Sequence, residues 1–239
     1  MPFTATICQA AAWAGPPFTT NDPDPPEPGQ YEINLLGTLE RSSDRSHSGE
    51  LLRLDINYGY DAFTQLSVEL PIPYSQAEGQ GIRAGVGDVL LEYKRRFGTA
   101  SRRGYWGINP EISLPTGDQD HGLGAGRVTV ELPLLYQRQW GDAVFYADLR
   151  FKGWAGEKGK SSWFLGGAFE HQVSARLQLG AEAFATTPEG SDGEYNGGFN
   201  VGFRYAFAPG VMLMGSAGHS FRSAPDLTVL VGLKMLLPP

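Results

Sequence analysis

Residues 127–137 read RVTVELPLLYQ. Val128, Val130, Leu132, Leu134 and Tyr136 fall on one side of an extended chain, and Arg127, Thr129, Glu131 and Gln137 on the other. Successive side chains of a strand point to opposite faces. A continuous apolar face opposed by charges therefore describes a strand that divides a greasy environment from a wet one.

The same alternation runs outward from this stretch in both directions. Twelve segments carry it: 31–40, 50–58, 64–72, 86–97, 104–114, 127–137, 143–152, 162–171, 176–186, 194–206, 211–218 and 227–237. In 64–72, Leu66, Val68, Leu70 and Ile72 oppose Gln65, Ser67 and Glu69. In 194–206, Tyr195, Phe199, Val201, Phe203 and Tyr205 oppose Glu194, Asn196, Asn200 and Arg204. Segment 211–218, with small residues and two methionines, carries the pattern most weakly.

The links between segments alternate in length. Odd-numbered links are longer and polar, as in SSDRSHSG (42–49) and TGDQDHGLGA (116–125). Even-numbered ones are mostly short, as in GYDA (59–62), QWGD (139–142) and FAPG (207–210). Long loops at one end and tight turns at the other describe an up-and-down outer-membrane barrel, with the long loops outside the cell. The expected fold is all-β, a twelve-stranded antiparallel transmembrane β-barrel. A soluble barrel would turn the apolar faces inward, but such barrels usually have about eight strands. Closure also removes the sheet edges that lipid cannot hydrate.

Composition agrees. The 239 residues carry a formal net charge of −7, with Gly at 32 and aromatics at 12%. That charge offers no basic surface for nucleic acid. The single cysteine, Cys8, excludes a disulfide within the chain. No run reaches the roughly 18 apolar residues that a membrane-spanning helix needs. Residues 1–14 are small and apolar, and Ala12-Trp13-Ala14 fits the small-x-small pattern of a signal-peptidase site. They read as a signal peptide without its basic start, or as an ordinary terminus. Residues 15–29, GPPFTTNDPDPPEPG, hold six prolines and form an extended leader that reads as a possible plug of the lumen. The barrel is expected over 30–239.

Charges facing lipid at mid-depth would cost about 2–4 kcal/mol for each basic one, so the polar faces must look inward. The expected lumen-lining residues are Arg53, Asp55, Glu69, Glu92, Lys94, Arg96, Glu111, Glu131, Asp148, Arg150, Lys152, Arg176, Glu182 and Arg204. They form either a salt-bridge network that stiffens the barrel or a lining that orders passing solutes. Mixed signs imply weak ion selectivity. Twelve strands lie between the roughly eight whose side chains fill the interior and the roughly sixteen that open a water channel. A narrow or plugged path is expected. Trp106, Trp140, Trp154 and Trp163, near strand ends, read as interfacial girdles; the alternative is an aromatic slide for substrate.

Catalysis finds little support. His47-Ser48 and His219-Ser220 are sequence neighbours, which within a strand point to opposite faces. Neither pair sets a nucleophile against a base as hydrolytic chemistry requires. The Asp-rich TGDQDHG (116–122) reads as a turn rather than a cation loop. Gly85-Val86-Gly87 and Gly122 to Gly126 are not followed by a helix, so the nucleotide motif fails. No cofactor or metal is expected.

Three stretches, GPPFTTNDPDPPEPGQYEINL (15–35), GVGDVLLEYKRRF (85–97) and PEISLPTGD (110–118) followed by GLGAG (122–126), resemble a family of bacterial outer-membrane proteins. It is named for the meta-pathway of phenol degradation, and its members are often labelled transporters. The resemblance runs from about Gly15 to the end. It implies an outer-membrane barrel of Gram-negative bacteria that moves hydrophobic or aromatic compounds, with membrane lipid and a small solute as partners. It implies no catalytic residue. Residues 236–239, LLPP, depart from the terminal aromatic usual in outer-membrane barrels. The reading is thus a porin-like channel or transporter and not an enzyme, the alternative being a non-transporting structural or adhesive barrel.

Overall fold

A computed structural model of the chain describes residues 15–99, 103–154, 161–188, 195–222 and 225–239; the signal-peptide reading of 1–14 lies outside them. Twelve antiparallel strands form the wall. They are β1 (Tyr31–Arg41), β2 (His47–Asp61), β3 (Thr64–Gln76), β4 (Val89–Phe97), β5 (two segments, Tyr105–Ile108 and Glu111–Leu114), β6 (Thr129–Trp140), β7 (Ala143–Trp154), β8 (Ser161–Gln172), β9 (Leu177–Thr186), β10 (Asn196–Ala208), β11 (Val211–Ser220) and β12 (Leu227–Leu237). Each pairs with its sequence neighbours, and β1 pairs with β12 from Tyr31↔Leu237 to Arg41↔Leu227, which closes the barrel. Closure leaves no open edge in the wall.

The alternation read from the sequence is the inside–outside alternation of the wall. Leu132, Val201 and Val231 stand outside at 50%, 54% and 58% exposure, whereas Asp148 and Lys234 stand inside at 0%. Such a surface is stable only where the outside is hydrocarbon. No described helix is long and apolar enough to cross a membrane; the strands do the crossing.

Two local departures follow from backbone chemistry. At Asn109-Pro110, β5 breaks in two, because neither Pro110 nor the facing Pro133 has an N–H to give the ladder. The Asn109 N–H still reaches the Pro133 carbonyl, at 3.2 Å, and Tyr93 donates to the Pro110 carbonyl at 3.0 Å. In β2 the register shifts at Leu51. This β-bulge lets Leu51 and Leu52 both face outward. The extra residue returns Glu50 and Ser48 to the inner face, where strict alternation would have sent Glu50 into lipid.

The aromatic girdles form with one exception. Trp106 packs on Tyr136 (4.8 Å between centroids), Trp140 on Phe169 (6.2 Å) and Trp163 on Phe151 (5.2 Å), all on the outside. Trp154 instead shares the inner face of β7 with Arg150 and Lys152. The Arg127 guanidinium lies 4.7 Å and the Lys152 ammonium 5.2 Å from its ring. Residue parity decides this: 145, 149 and 151 face out, so 154 faces in.

Candidate functional site: the lumen and its leader

The leader runs inside the barrel. Prolines at 16, 17, 23, 25, 26 and 28 hold it extended and remove N–H groups, so its free carbonyls suit an inner wall rich in donors. The Arg204 side chain donates to the Pro16 carbonyl at 3.0 Å and the Gly15 carbonyl at 2.5 Å. Ser216 donates to the Pro17 carbonyl at 2.7 Å. The carboxylate of Glu182 accepts from the Thr19 and Thr20 amides, both at 2.9 Å, and from the Thr20 hydroxyl at 2.8 Å. Lys94 reaches Asn21 at 3.0 Å.

Asp24 forms a second anchor. It accepts from Arg96 and Tyr105, each at 2.8 Å, and from Gln137 at 2.7 Å. Burial pushes its carboxyl above the usual carboxylate range and neighbouring Asp22 adds to this, while the bonds from Arg96 and Tyr105 pull the other way. Apolar contact completes the seat. The ring of Phe18 lies in a slot over Gly180 and Gly202, where an added Cβ would sit 2.9 Å and 3.0 Å from it.

Between the leader and the wall, chiefly β1–β6 with residues of β7 and β10–β12, lies a cavity of about 670 Å³. Its lining holds eight carboxylates (Glu32, Glu40, Glu50, Asp55, Glu69, Glu92, Glu111 and Glu131) against three cations (Arg53, Lys94 and Arg150). The expected balance of signs is therefore absent here: acids predominate. Register explains the concentration, since Asp55 stands opposite Glu69, Glu92 opposite Glu111, and Glu111 opposite Glu131. Like charges directly opposed repel. Asn109 relieves them by donating to Glu92 at 2.8 Å and Glu111 at 3.0 Å. Arg53 bridges Glu50 (2.8 Å) and Glu69 (3.4 Å). Arg150 joins Glu131 (3.3 Å) to Asp148. Phe18, Leu36, Leu90 and Leu230 supply apolar lining.

Of the fourteen residues expected in the lumen, Arg53, Asp55, Glu69, Glu92, Lys94, Glu111, Glu131 and Arg150 line this cavity. Arg96, Asp148, Glu182 and Arg204 hold the leader, the Asn21 amide reaching Asp148 at 3.3 Å. Lys152 stands 3.7 Å from Glu131. Arg176 is not brought to them: it is exposed in the turn before β9. Sequence reasoning missed Phe18, Asp22, Asp24, Tyr105 and Ser216, and placed Gln137 on a polar face without giving it a role. It also missed inward Leu36, Met212 and Met214, which are buried although apolar. Only the Asp-Pro alternation at 22–25 offered a signal.

The loop histidines find other partners than serine. Asp118 caps a short turn, Gln119–His121, and the His121 ring lies 2.6 Å from its carboxylate; these bonds hold the Asp118 carboxyl below its usual value. Ser48 donates to Glu40 at 2.9 Å, and the His219 ring meets the Asp226 carbonyl.

Among solved structures, the fold is similar to an outer membrane channel from Pseudomonas putida F1 (TM-score 0.71, 16% identity, covering 90% of this chain and 98% of that one). It is also similar to the NanC porin (TM-score 0.59, 10% identity, 85% and 98%) and to the translocator domain of the autotransporter NalP from Neisseria meningitidis (0.57, 12%, 90% and 90%). A search of curated protein sequences gives no match. The lipid-facing belt and this fold put the protein in the bacterial outer membrane. The model of one family matches residues 19–231, so the chain belongs to the family described as "Putative MetA-pathway of phenol degradation".

Proposed function

We propose that the protein is an outer-membrane channel for small molecules, hydrophobic or aromatic ones in particular, with a lumen narrowed by its own leader. The observation that carries this is the open cavity of about 670 Å³ between leader and wall. A small aromatic would find apolar surface at Phe18, Leu36 and Leu90, and carboxylates at Asp55, Glu69 and Glu92 to accept a hydroxyl proton. The family description supports the aromatic class, and the likeness to proteins described as a channel and porins supports passage rather than catalysis. In this reading thirteen of the fourteen expected residues, all but the exposed Arg176, divide between solute path and plug support.

The leader's many bonds to the wall favour a second reading, a closed barrel that serves structure or adhesion. Reconstitution separates the two. Purified barrel in planar bilayers and vesicles should pass ions in small steps and take up labelled phenol or benzoate faster than protein-free vesicles. Deleting residues 15–29 behind an intact export signal should raise the conductance several-fold. No uptake from either protein, with unchanged conductance, would sink the channel reading.

A further inference from the structure

The leader begins at a point that a free peptide end would suit. The Gly15 nitrogen donates to the Asp22 carboxylate at 2.6 Å. It is among the shortest amide–carboxylate bonds of the described residues, beside Phe63 to Asp61 and Ala125 to Asp88, both at 2.7 Å. The Gly15 carbonyl is held at the same time by Arg204, so both ends of the residue are gripped. Asp22, Arg204 and nearby Lys234 are all buried. Charge around this point is unbalanced toward acid. Glu32 pairs with Lys234 at 2.9 Å, and Glu170 pairs with Arg204. The carboxylate of Asp22 accepts a backbone N–H from Gly15 and another from Asp24, at 2.8 Å, and shares the Arg204 guanidinium with Glu170. Three buried carboxylates, Asp22, Glu32 and Glu170, thus face two cations, Arg204 and Lys234, and an uncompensated buried charge is costly.

We propose that Gly15 is the amino terminus of the mature protein, and that its α-ammonium is anchored to Asp22 inside the barrel. An exported outer-membrane protein passes a signal peptidase, and Ala12-Trp13-Ala14 places the small residues that enzyme accepts immediately before Gly15. Hydrolysis there consumes one water. Its oxygen joins the Ala14 carbonyl carbon to give a carboxylate, the C–N bond to Gly15 breaks, and the Gly15 nitrogen takes up protons to become an ammonium. One neutral amide donor becomes a cation with three donors. The new positive charge faces Asp22, and the Glu32 carboxylate and its partner, the Lys234 ammonium, each lie 3.8 Å from where a Gly15 Cβ would stand. Processing thereby supplies the charge that locks the leader in its seat, independently of whether any solute passes.

The test uses the full chain expressed in a Gram-negative host and recovered folded from outer membranes. Intact mass and amino-terminal sequencing should show loss of residues 1–14 and a sequence starting Gly15-Pro16-Pro17-Phe18. A start at any other residue overturns the proposal. An amine-reactive succinimidyl ester at neutral pH then reads the anchor. The Gly15 amine of the folded protein should react about tenfold more slowly than in the urea-unfolded protein, and Asp22→Asn should remove most of that protection. Equal rates folded and unfolded overturn the anchor even if Asp22→Asn does not assemble. So does an Asp22→Asn protein that assembles and keeps full protection.

Discussion

Arg204 on β10 and Glu170 on β8 pair directly inside the barrel, across the intervening strand β9, and the same guanidinium grips the first two carbonyls of the leader. The room for this reach comes from Gly180 on β9, which stands opposite Glu170 and carries no side chain. One arginine thus ties two wall strands, β8 and β10, to the segment they enclose.

Removing that arginine should have two effects. Arg204→Met leaves Glu170 buried and unpaired, which costs about 3–5 kcal/mol, and frees the leader's amino end. Urea titration of the barrel in detergent should show the loss of stability, and bilayer recording should show raised or noisier conductance. Adding Glu170→Leu should restore most of the stability but not the quiet baseline, since the leader carbonyls stay ungripped.

The Phe18 slot makes a steric prediction. Phe18→Ala would empty the slot that Gly180 and Gly202 leave for the ring. The change lies in the leader, so the wall itself should assemble. Conductance should rise toward that of the leader deletion, while Gly81→Ala, at an open loop position with nothing within 4 Å of a new Cβ, should leave it unchanged.

The carboxylate-rich cavity predicts preference for cations. Under a salt gradient the reversal potential should favour potassium over chloride by about severalfold. Glu111→Lys combined with Glu131→Gln should move it toward or past zero selectivity. Selectivity for chloride in the unaltered barrel would refute this account of the lining.

The sequence disclosed the wall better than its contents. Period two was enough to find all twelve strands, because lipid outside and water or charge inside enforce it at nearly every residue, as at Leu132 against Glu131. It could not reveal Glu92, Glu111 and Glu131 in one row, since that depends on register between strands. Met212 and Met214 hid because an apolar residue facing inward reads like one facing lipid until its parity is set by a neighbour. Trp154 misled for the related reason that aromatic residues suit both an interface and a cation-bearing rim. The β2 bulge at Leu51 resets parity by one residue, and two adjacent leucines alone do not announce it. The leader was legible as non-strand, but its partners on the wall, from Arg96 to Arg204, lie 72 to 189 residues away in sequence.

The central claim, that apolar side chains face hydrocarbon while ionised ones face the lumen, is tested most directly by spin labels. Single cysteines in a Cys8→Ser background at Leu91, Glu92, Glu131 and Leu132 would be labelled in the reconstituted barrel. Relaxation by lipid-soluble oxygen should dominate at 91 and 132, and relaxation by a water-soluble nickel chelate at 92 and 131. The reverse pattern, or no difference between neighbouring positions, would contradict the account.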